Sequence, residues 1–307
     1  INRMPSKGCL LAGPNELLTY VDGRIMAHSQ ASPTLRRINE STIGGFYDTE
    51  RTFGGKPFRL REHLERLYRG IEASKTDPGI SMRDLEKVTM GIIDSNVSLL
   101  GHREEFTVTQ VVSITQSQEI DKPKAVHVVV YCQVLDFAPF ARSYANGVRL
   151  VTPSTYGMPR GQDSGVDPTT HQQVFPLMSG NDGRITECRG ANFMFVADRR
   201  IKLPDRKNVL PGVSMQTVLD LADRLGVKVD EGRYHQGDVY DSEEAFVSST
   251  RFCVLPVATL NGMQIGGDIP GEVTTGLLDA WRAAVGLDFV EQALAHLPAD
   301  DGASPDA

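Results

Sequence analysis

Three short segments in the second half of the chain carry groups that could bind an anion or hold a charge. Gly212-Val213-Ser214 precedes an amphipathic helix, and the free N–H groups at a helix start attract phosphate and carboxylate groups. Ser248-Ser249-Thr250 follows a β-rich run and offers hydroxyl donors. Glu187 stands at the end of another β-rich run, before small residues. Taken singly, these segments are more typical of an N-cap, a loop and an exposed glutamate. The functional interpretation therefore depends on their occurring together in this order.

The elements that must position such groups begin with a small α+β domain in the first half. Asp22-Gly23 and Gly54-Gly55 separate β-rich runs and predict two hairpins. A helix is predicted from four apolar residues at helical spacing: Leu60, Leu64, Leu67 and Ile71. A second helix is predicted to begin at Ser81, because Asp84 three residues later completes a capping box variant.

The second half predicts a larger domain rich in strands. An amphipathic helix is predicted after Ser214, ending at Gly226. Strands predicted over residues 106–114 and 125–134 complete the first domain, and the second contains strands predicted over 148–152, 174–178, 245–248 and 254–259, with a hairpin over 185–203. We therefore expect a small N-terminal α+β domain over 1–134, a linker over 135–142, a larger C-terminal domain over 143–297 and a disordered tail over 298–307.

The composition limits the class of partner. The 307 residues include 39 acidic and 32 basic side chains, and the net charge of −7 argues against a nucleic-acid partner. The 4 cysteines are widely spaced, so neither a metal site nor a disulfide framework is indicated. No apolar run approaches the roughly 20 residues that span a membrane, and no charged-then-apolar leader opens the chain. We expect a cytoplasmic protein without a membrane partner.

The order of the motifs resembles the class IV aminotransferases, the fold-type IV pyridoxal phosphate (PLP) enzymes, nearest the (R)-amine transaminase, branched-chain and D-amino-acid branch. The matching segments are Phe58–Leu67, Gly183–Glu187, Asn192–Val196, Leu210–Ser214, Glu244–Thr250 and Leu255–Val257. The resemblance implies an α+β fold with a small N-terminal α/β sandwich and a larger C-terminal β-barrel-like domain with helices. It also implies a homodimer that binds a small-molecule ligand or substrate.

The resemblance assigns roles to individual side chains around the cofactor. Arg66 would contact the PLP phosphate, because a guanidinium fork suits that anion, although without the family context Arg66 is equally typical of a surface helix. The rest of the phosphate cup would comprise Val213, Ser214, Ser249 and Thr250. Glu187 would sit against the pyridine nitrogen and keep it protonated.

One departure from the family concerns the lysine that bonds to the cofactor. Counting on from Asp167-Pro168-Thr169 places His171 at that position, with Thr170 and Gln172 as neighbouring alternatives. None of the chain's lysines falls in this segment, so PLP would not be covalently bound by the family's route. Histidine titrates near neutrality and could act there as a general acid or base, or His171 is simply a loop histidine.

Two further departures affect the neighbouring segments. Family members carry a helix between the lysine and the next strand, whereas here Gln173 runs directly into Val174. Either the domain is remodelled at this junction or a segment is omitted from the chain. Thr115-Gln116-Ser117 stands where many relatives place an arginine-bearing loop that grips a substrate carboxylate.

Three functional hypotheses follow. The first is a divergent enzyme that acts on a small molecule in the interdomain cleft without lysine-based transamination, with His171 as the catalytic residue. The second is a PLP-dependent aminotransferase, for amines or for branched-chain or D-amino acids, whose lysine segment is omitted or shifted. The third is a non-catalytic protein that binds PLP or another phosphorylated ligand.

Overall fold

The computed structural model describes residues 16–116, 124–153, 165–166 and 172–297, so the predicted C-terminal tail lies outside the described residues. The fold is α+β, and the chain divides between Leu135 and Asp136 into two compact units. The strands of the first unit are β1 (Leu18–Val21), β2 (Arg24–Ala27), β3 (Thr42–Phe53), β4 (Lys56–Pro57), β5 (Phe106–Thr115) and β6 (Ala125–Val134). Its helices are α1 (His28–Ser41), α2 (Leu60–Ala73) and α3 (Met82–Asn96).

The first unit is built on one antiparallel sheet, in the order β2-β1-β6-β5-β3-β4. Asp22 and Gly23 have φ angles of 48° and 87°, which the turn between β1 and β2 requires. Both predicted hairpins are confirmed. The short strand β4 follows the Gly54-Gly55 turn and leads into α2.

Helices cover both faces of this sheet. The apolar stripes of α2 and α3 pack on one face, around Leu64, Leu85 and Phe106. Helix α1 packs on the other face through Ala31 and Ile38. The predicted helices α2 and α3 are confirmed, and the Ser81 hydroxyl accepts the backbone N–H of Asp84 at 3.2 Å as an N-cap. Helix α1 was not predicted.

A buried acidic side chain lies inside the core of the first unit. Glu50 on β3 is fully buried, and its Oε1 accepts a 2.7 Å hydrogen bond from Gln110 Nε2. Glu50 Oε2 and Gln110 Oε1 are buried and have no hydrogen-bond partner among the described residues. Burial raises the pKa of Glu50 well above its usual value of 4.5. The folded chain therefore holds a proton on Glu50 at pH values where an exposed glutamate is ionised.

Glu50→Gln is expected to remove a pH dependence of stability from the first unit. As pH rises above about 4.5 the unfolded chain releases the Glu50 proton while the folded chain keeps it, so the wild-type free energy of unfolding falls by up to about 1.4 kcal/mol per pH unit. The variant lacks this contribution. Urea unfolding followed by circular dichroism from about pH 4 to about pH 8 measures it. Glu72→Gln on the exposed side of α2 is the matched control, and equal slopes for Glu50→Gln and wild type would contradict the prediction.

The second unit combines a larger sheet with further helices. Its strands are β7 (Val148–Val151), β8 (Gly165–Val166), β9 (Gln173–Ser179), β10 (Ile185–Cys188), β11 (Asn192–Ala197), β12 (Arg200–Pro204), β13 (Val229–Gly232), β14 (Glu244–Ser249), β15 (Cys253–Leu260) and β16 (Met263–Gln264). Its helices are α4 (Ala138–Ala141), α5 (Ser143–Asn146), α6 (Val213–Arg224), α7 (Gln236–Tyr240), α8 (Glu272–Val285) and α9 (Phe289–Leu294).

The main path of this sheet is β10-β9-β7-β15-β14-β11-β12-β13. Strand β7 is parallel to both of its neighbours, β9 and β15, and β12 is parallel to β13. The predicted hairpin over 185–203 is formed in its second part, where β11 and β12 pair on either side of a turn at Asp198, whereas β10 pairs with β9. The segment predicted as a linker contains α4 and buries Phe137 and Phe140.

Helix α8 starts on a buried carboxylate. Glu244 Oε1 accepts the Val273 N–H at 2.7 Å, while Oε2 accepts the Thr274 N–H at 2.9 Å and the Thr274 hydroxyl at 2.8 Å. These bonds satisfy donors that a helix start leaves without intrahelical acceptors. The same helix carries Trp281, which is the only tryptophan of the chain and is buried. Glu244 therefore couples the start of β14 to α8.

The cysteines that the structure describes are all buried. Cys132 lies in the core of the first unit, and Cys188 and Cys253 lie in the second. Burial raises the pKa of Cys132 to about 12 and also raises the pKa of Cys188. Among the described residues, no helix is long and apolar enough to cross a bilayer.

Candidate functional site

Glu187 lies on β10 with one carboxylate oxygen engaged and the other available. Oε2 accepts the backbone N–H of Leu210 at 2.9 Å and the side-chain amide of Asn192 at 3.0 Å. Oε1 accepts no hydrogen bond from the described part of the chain. Burial raises the pKa of this carboxyl, although the Leu210 N–H bond acts in the opposite direction. The carboxylate is thus held in place by one oxygen and could accept a proton donor on the other.

Asn192 connects this carboxylate to the turn that precedes α6. Its Nδ2 also donates to the carbonyl oxygen of Leu210 at 3.0 Å. Gly212 lies so close to the Asn192 Oδ1 atom that a Cβ at position 212 would overlap it. Glycine is therefore required at this point by close approach and not by its backbone angles, since φ is −67°.

The start of α6 is open to an anion. Gly212 is its N-cap residue and provides no side-chain acceptor, and no acidic residue occupies the first turn. The first N–H groups of a helix have no intrahelical acceptor, and the helix dipole adds a partial positive charge. Val213 and Ser214, both buried, form this first turn.

The end of β14 supplies hydroxyl groups beside the same turn. Ser248 is directly opposite Asn192 in the pairing of β14 with β11, and α6 packs against β14. The Ser248 Oγ atom is buried and has no hydrogen-bond partner among the described residues. Ser249 and Thr250 follow and are half-buried. A buried hydroxyl with no partner is unfavourable in the absence of a ligand or water, so its position here indicates a polar site.

Leu210 therefore joins Glu187 to the turn before α6, whose first residues are Val213 and Ser214, and the part that Ser249 and Thr250 take in this site stays a prediction. Two residues of this site were not singled out from the sequence. Asn192 stood in a recognised motif, but nothing in its type shows that its amide bridges two segments. Ser248 stood in the hydroxyl-rich run, but only the strand register shows that it lies opposite Asn192.

Arg66 lies on α2 in the first unit and forms a bidentate ion pair with Asp48. Its Nε and Nη2 atoms donate to Asp48 Oδ2 and Oδ1 at 2.7 and 2.6 Å, and His63 Nδ1 lies 2.7 Å from Asp48 Oδ1. Burial alone would raise the pKa of Asp48, but the hydrogen bonds and charges of His63 and Arg66 outweigh it and hold the pKa below its usual range. The Arg66 side chain is 18% exposed.

The segment of the expected lysine is described only in part. Thr170 and His171 lie outside the described residues, so the catalytic role of His171 stays a prediction. Gln172 Nε2 donates to the carbonyl of Asn146 at 3.2 Å. Gln173 and Val174 are consecutive residues of β9, and Val174 pairs with Arg149 of the parallel strand β7.

A separate cleft of about 520 Å³ in the second unit is lined in part by Arg184, Thr186 and Arg233. Its two arginines are paired with acids: Arg184 Nε lies 3.5 Å from Asp182 Oδ2, and Arg233 Nε lies 3.8 Å from Asp205 Oδ2. Glu187 and the start of α6 do not line this cleft. We place the candidate chemistry at Glu187, close to the Ser248 Oγ atom that has no hydrogen-bond partner among the residues described.

Comparison with known proteins shows which family this part of the chain resembles. The model of the class IV amino-transferases matches residues 170–260, which include Glu187, Asn192 and the start of α6. A D-alanine aminotransferase of Listeria monocytogenes is 23% identical over 245 residues, or 76% of this chain and 84% of that protein. A probable branched-chain-amino-acid aminotransferase of Rickettsia bellii is 23% identical over 266 residues, or 80% of this chain and 87% of that protein.

Solved structures show the same fold. The branched-chain amino acid aminotransferase of Escherichia coli has a TM-score of 0.70 at 18% identity, covering 93% of this chain and 97% of that one. The enzyme of Thermobaculum terrenum in its PLP form has a TM-score of 0.72 at 16% identity, covering 91% and 97%. The chain is therefore similar to class IV aminotransferases, in sequence over residues 170–260 and in fold over most of its length. The predicted resemblance to this family and the predicted two-domain α+β fold are confirmed.

Proposed function

We propose that this class IV aminotransferase homologue binds PLP without a covalent bond and acts on a small-molecule substrate by a route other than lysine-based transamination. One arrangement carries the proposal: a carboxylate fixed by Leu210 and Asn192 lies next to the open start of α6. Such a pair suits a ligand that has a protonated nitrogen at one end and a phosphate at the other.

The residues of the second unit fit PLP on two counts. The Ser248 hydroxyl is buried, has no hydrogen-bond partner in the part of the chain that the structure describes, and lies near a helix start that carries no capping side chain. The Glu187 Oε1 atom accepts no hydrogen bond from the described residues, which leaves it for a ring N–H. The phosphate would be held by Val213, Ser214, Ser249 and Thr250, whereas the contact of Arg66 with the phosphate stays a prediction from the sequence.

When bound, PLP supplies an electron sink for carbanion chemistry. Glu187 would hold a proton at the ring nitrogen, which that chemistry requires. The donors at the start of α6 would orient the phosphate and fix the position of the ring. His171, at the sequence position of the family's lysine, would serve as general acid or base toward the substrate.

The lysines of the sequence support the non-covalent route. None lies between β7 and β9, where the family's lysine is expected. In the second unit Lys202 Nζ lies 2.9 Å from Asp230 Oδ2, and this hydrogen bond, with the nearby negative charges, raises the pKa of the lysine. A more firmly protonated ammonium is a poorer nucleophile, so Lys202 does not replace the missing residue.

Reconstitution with PLP tests the proposal. The purified chain, incubated with PLP and freed of excess, should retain cofactor absorption in the visible range. Treatment with borohydride should then add no mass to the chain in intact-mass spectrometry. A covalent adduct would contradict the non-covalent route, and failure to retain PLP would contradict cofactor binding.

The second candidate is a conventional PLP-dependent aminotransferase, for amines or for branched-chain or D-amino acids. The relatives described above favour it, because they are named D-alanine and branched-chain aminotransferases. A borohydride-stable adduct together with exchange between an amino acid and a keto acid would establish it. Retention of PLP without turnover of any amine or amino acid would instead support a non-catalytic binding protein. His171→Ala with full activity would remove His171 from the mechanism.

We also propose that the protein is a cytoplasmic homodimer, as the family resemblance implies. Light scattering of the purified chain measures its mass in solution directly. Fractionation of cells that express the protein shows in which compartment it is found.

A further inference from the structure

We propose that Asn192 is a positioning residue that acts through Glu187 and couples the two ends of the ligand site. Its amide would hold the carboxylate that faces the ring nitrogen to the turn that starts the phosphate-binding helix α6. The inference rests on the proposed function, because it assigns the ring nitrogen to Glu187.

The contacts of Asn192 define this role. One nitrogen, Nδ2, lies 3.0 Å from Glu187 Oε2 and 3.0 Å from the carbonyl oxygen of Leu210. The N–H of Leu210 in turn donates to the same Glu187 oxygen at 2.9 Å. A closed set of three hydrogen bonds therefore joins β10, β11 and the turn before α6. Side chains that bridge two segments in this way transmit displacement from one to the other.

The bonds to Glu187 also select which oxygen meets the ligand. Both donors use Oε2, so Oε1 is the oxygen left to accept a ring N–H. Donors to a carboxylate favour its ionised form, which opposes the effect of burial on Glu187. The Asn192 amide adds a second donor to the same oxygen, so it orients the carboxylate and its loss would favour the protonated form, whereas an ionised partner is needed to stabilise a protonated ring nitrogen.

Gly212 gives independent support for the coupling. It is the N-cap of α6, and a Cβ at this position would overlap Asn192 Oδ1. The helix start and the Asn192 amide are therefore in direct contact, and a methyl group at 212 must displace one or the other. Gly212→Ala thus perturbs the coupling while leaving Asn192 and Glu187 in the sequence.

The test measures PLP affinity in Asn192→Ala, Glu187→Gln, the double variant and Gly212→Ala, with Asn181→Ala in the exposed β9–β10 turn as the matched control. A second readout needs no cofactor: the NMR titration of the Glu187 carboxyl carbon in the ligand-free protein, assigned by its loss in Glu187→Gln. A residue that serves only the fold would leave this titration at the wild-type pH midpoint.

We expect Asn192→Ala to weaken PLP binding about tenfold, and the double variant to bind no more weakly than Glu187→Gln alone, because the two residues act as one unit. The Glu187 midpoint should move to higher pH in Asn192→Ala and stay unchanged in Asn181→Ala. Gly212→Ala should also weaken binding and shift the midpoint, which keeps the test decisive if Asn192→Ala misfolds.

Additive losses in the double variant, or an unchanged Glu187 midpoint in Asn192→Ala, would overturn the role of Asn192. Failure of the wild type to bind PLP would overturn the proposed function instead. In that case the titration of the ligand-free protein alone decides whether Asn192 controls the Glu187 carboxylate.

Discussion

Asp48→Ala is expected to lower the free energy of unfolding of the first unit by about 3–5 kcal/mol. The Asp48 side chain is only 2% exposed and is the shared partner of Arg66 and His63. Removing it takes away the buried carboxylate that the Arg66 guanidinium and the His63 ring both contact, and the loss of one member of a buried charged cluster is strongly unfavourable. The cost exceeds the net value of the ion pair itself, because desolvation of the remaining group is no longer compensated.

The two units can be followed separately in this experiment. Trp281 belongs to the second unit and is the chain's only tryptophan, so its fluorescence reports that unit, whereas far-ultraviolet circular dichroism reports both. Denaturant titration of Asp48→Ala should move the dichroism transition to lower denaturant, and the fluorescence transition then shows whether the second unit unfolds together with the first. Asp94→Ala on the exposed face of α3 is the control and should stay within about 0.5 kcal/mol of wild type.

The difference between Asp48→Ala and wild type should also depend on pH. Because the pKa of Asp48 is lowered in the folded chain, its contribution is fully present above the unfolded value near 3.8 and is lost as pH falls below it. The two proteins should therefore converge in stability in acid. A constant difference down to about pH 2 would show that Asp48 acts through packing and not through its charge.

Glu187→Gln and Glu244→Gln are expected to give opposite results. Both carboxylates belong to the second unit, but Glu244 uses both oxygens on donors of α8, whereas the donors to Glu187 within the described residues all use Oε2. Glu187→Gln should weaken PLP binding about 10- to 100-fold, since a charge-assisted hydrogen bond to the ring nitrogen is lost, with little change in stability. Glu244→Gln should destabilise the unit by about 1–3 kcal/mol and leave PLP affinity unchanged.

Each variant is the control for the other, because the same carboxyl-to-amide change is made in the same unit. PLP affinity comes from titration of cofactor absorbance or of Trp281 fluorescence, and stability from denaturant unfolding of the ligand-free protein. Loss of stability in Glu187→Gln comparable to that in Glu244→Gln would identify Glu187 as a structural residue. Equal PLP affinity in Glu187→Gln and wild type would remove Glu187 from the site.

The sequence predicted correctly those helices and turns that depend on residues close to one another in the chain. Helices α2 and α3 carry apolar residues at helical spacing, and the Asp22-Gly23 and Gly54-Gly55 turns interrupt β-rich runs, so all of these are readable from neighbours in the chain. Helix α1 is different: it has no side-chain cap and contains Pro33, which removes a backbone donor from the helix. Its packing against the sheet through Ala31 and Ile38 compensates, and that packing depends on distant strands.

In the candidate site, too, the motifs could be recognised from the sequence, whereas the contacts between distant segments could not. Glu187 and Ser214 were recognisable because they stand in motifs, but their hydrogen bonds join segments far apart in the chain. The Asn192 amide meets Leu210, 18 positions away, and Asp48 meets Arg66 across a similar separation. Ser248 and Ser249 are adjacent hydroxyl residues on a strand whose side chains alternate between faces, so only the register shows which one is buried opposite Asn192.

Each unit contains a buried cysteine whose rate of reaction with a thiol reagent reports how often that unit opens. A thiol reagent attacks the thiolate, which is scarce at neutral pH when burial raises the pKa, as for Cys132 and Cys188. Modification of these side chains therefore requires a local opening of the surrounding structure, and its rate measures how often that opening occurs. The rate of modification of Cys132 reports the opening of the first unit. The rate for Cys188, which is next to Glu187, reports the opening of the strand that carries the candidate site. The unmodified chain thus allows the opening of the site to be timed apart from the opening of the first unit, with no engineered label.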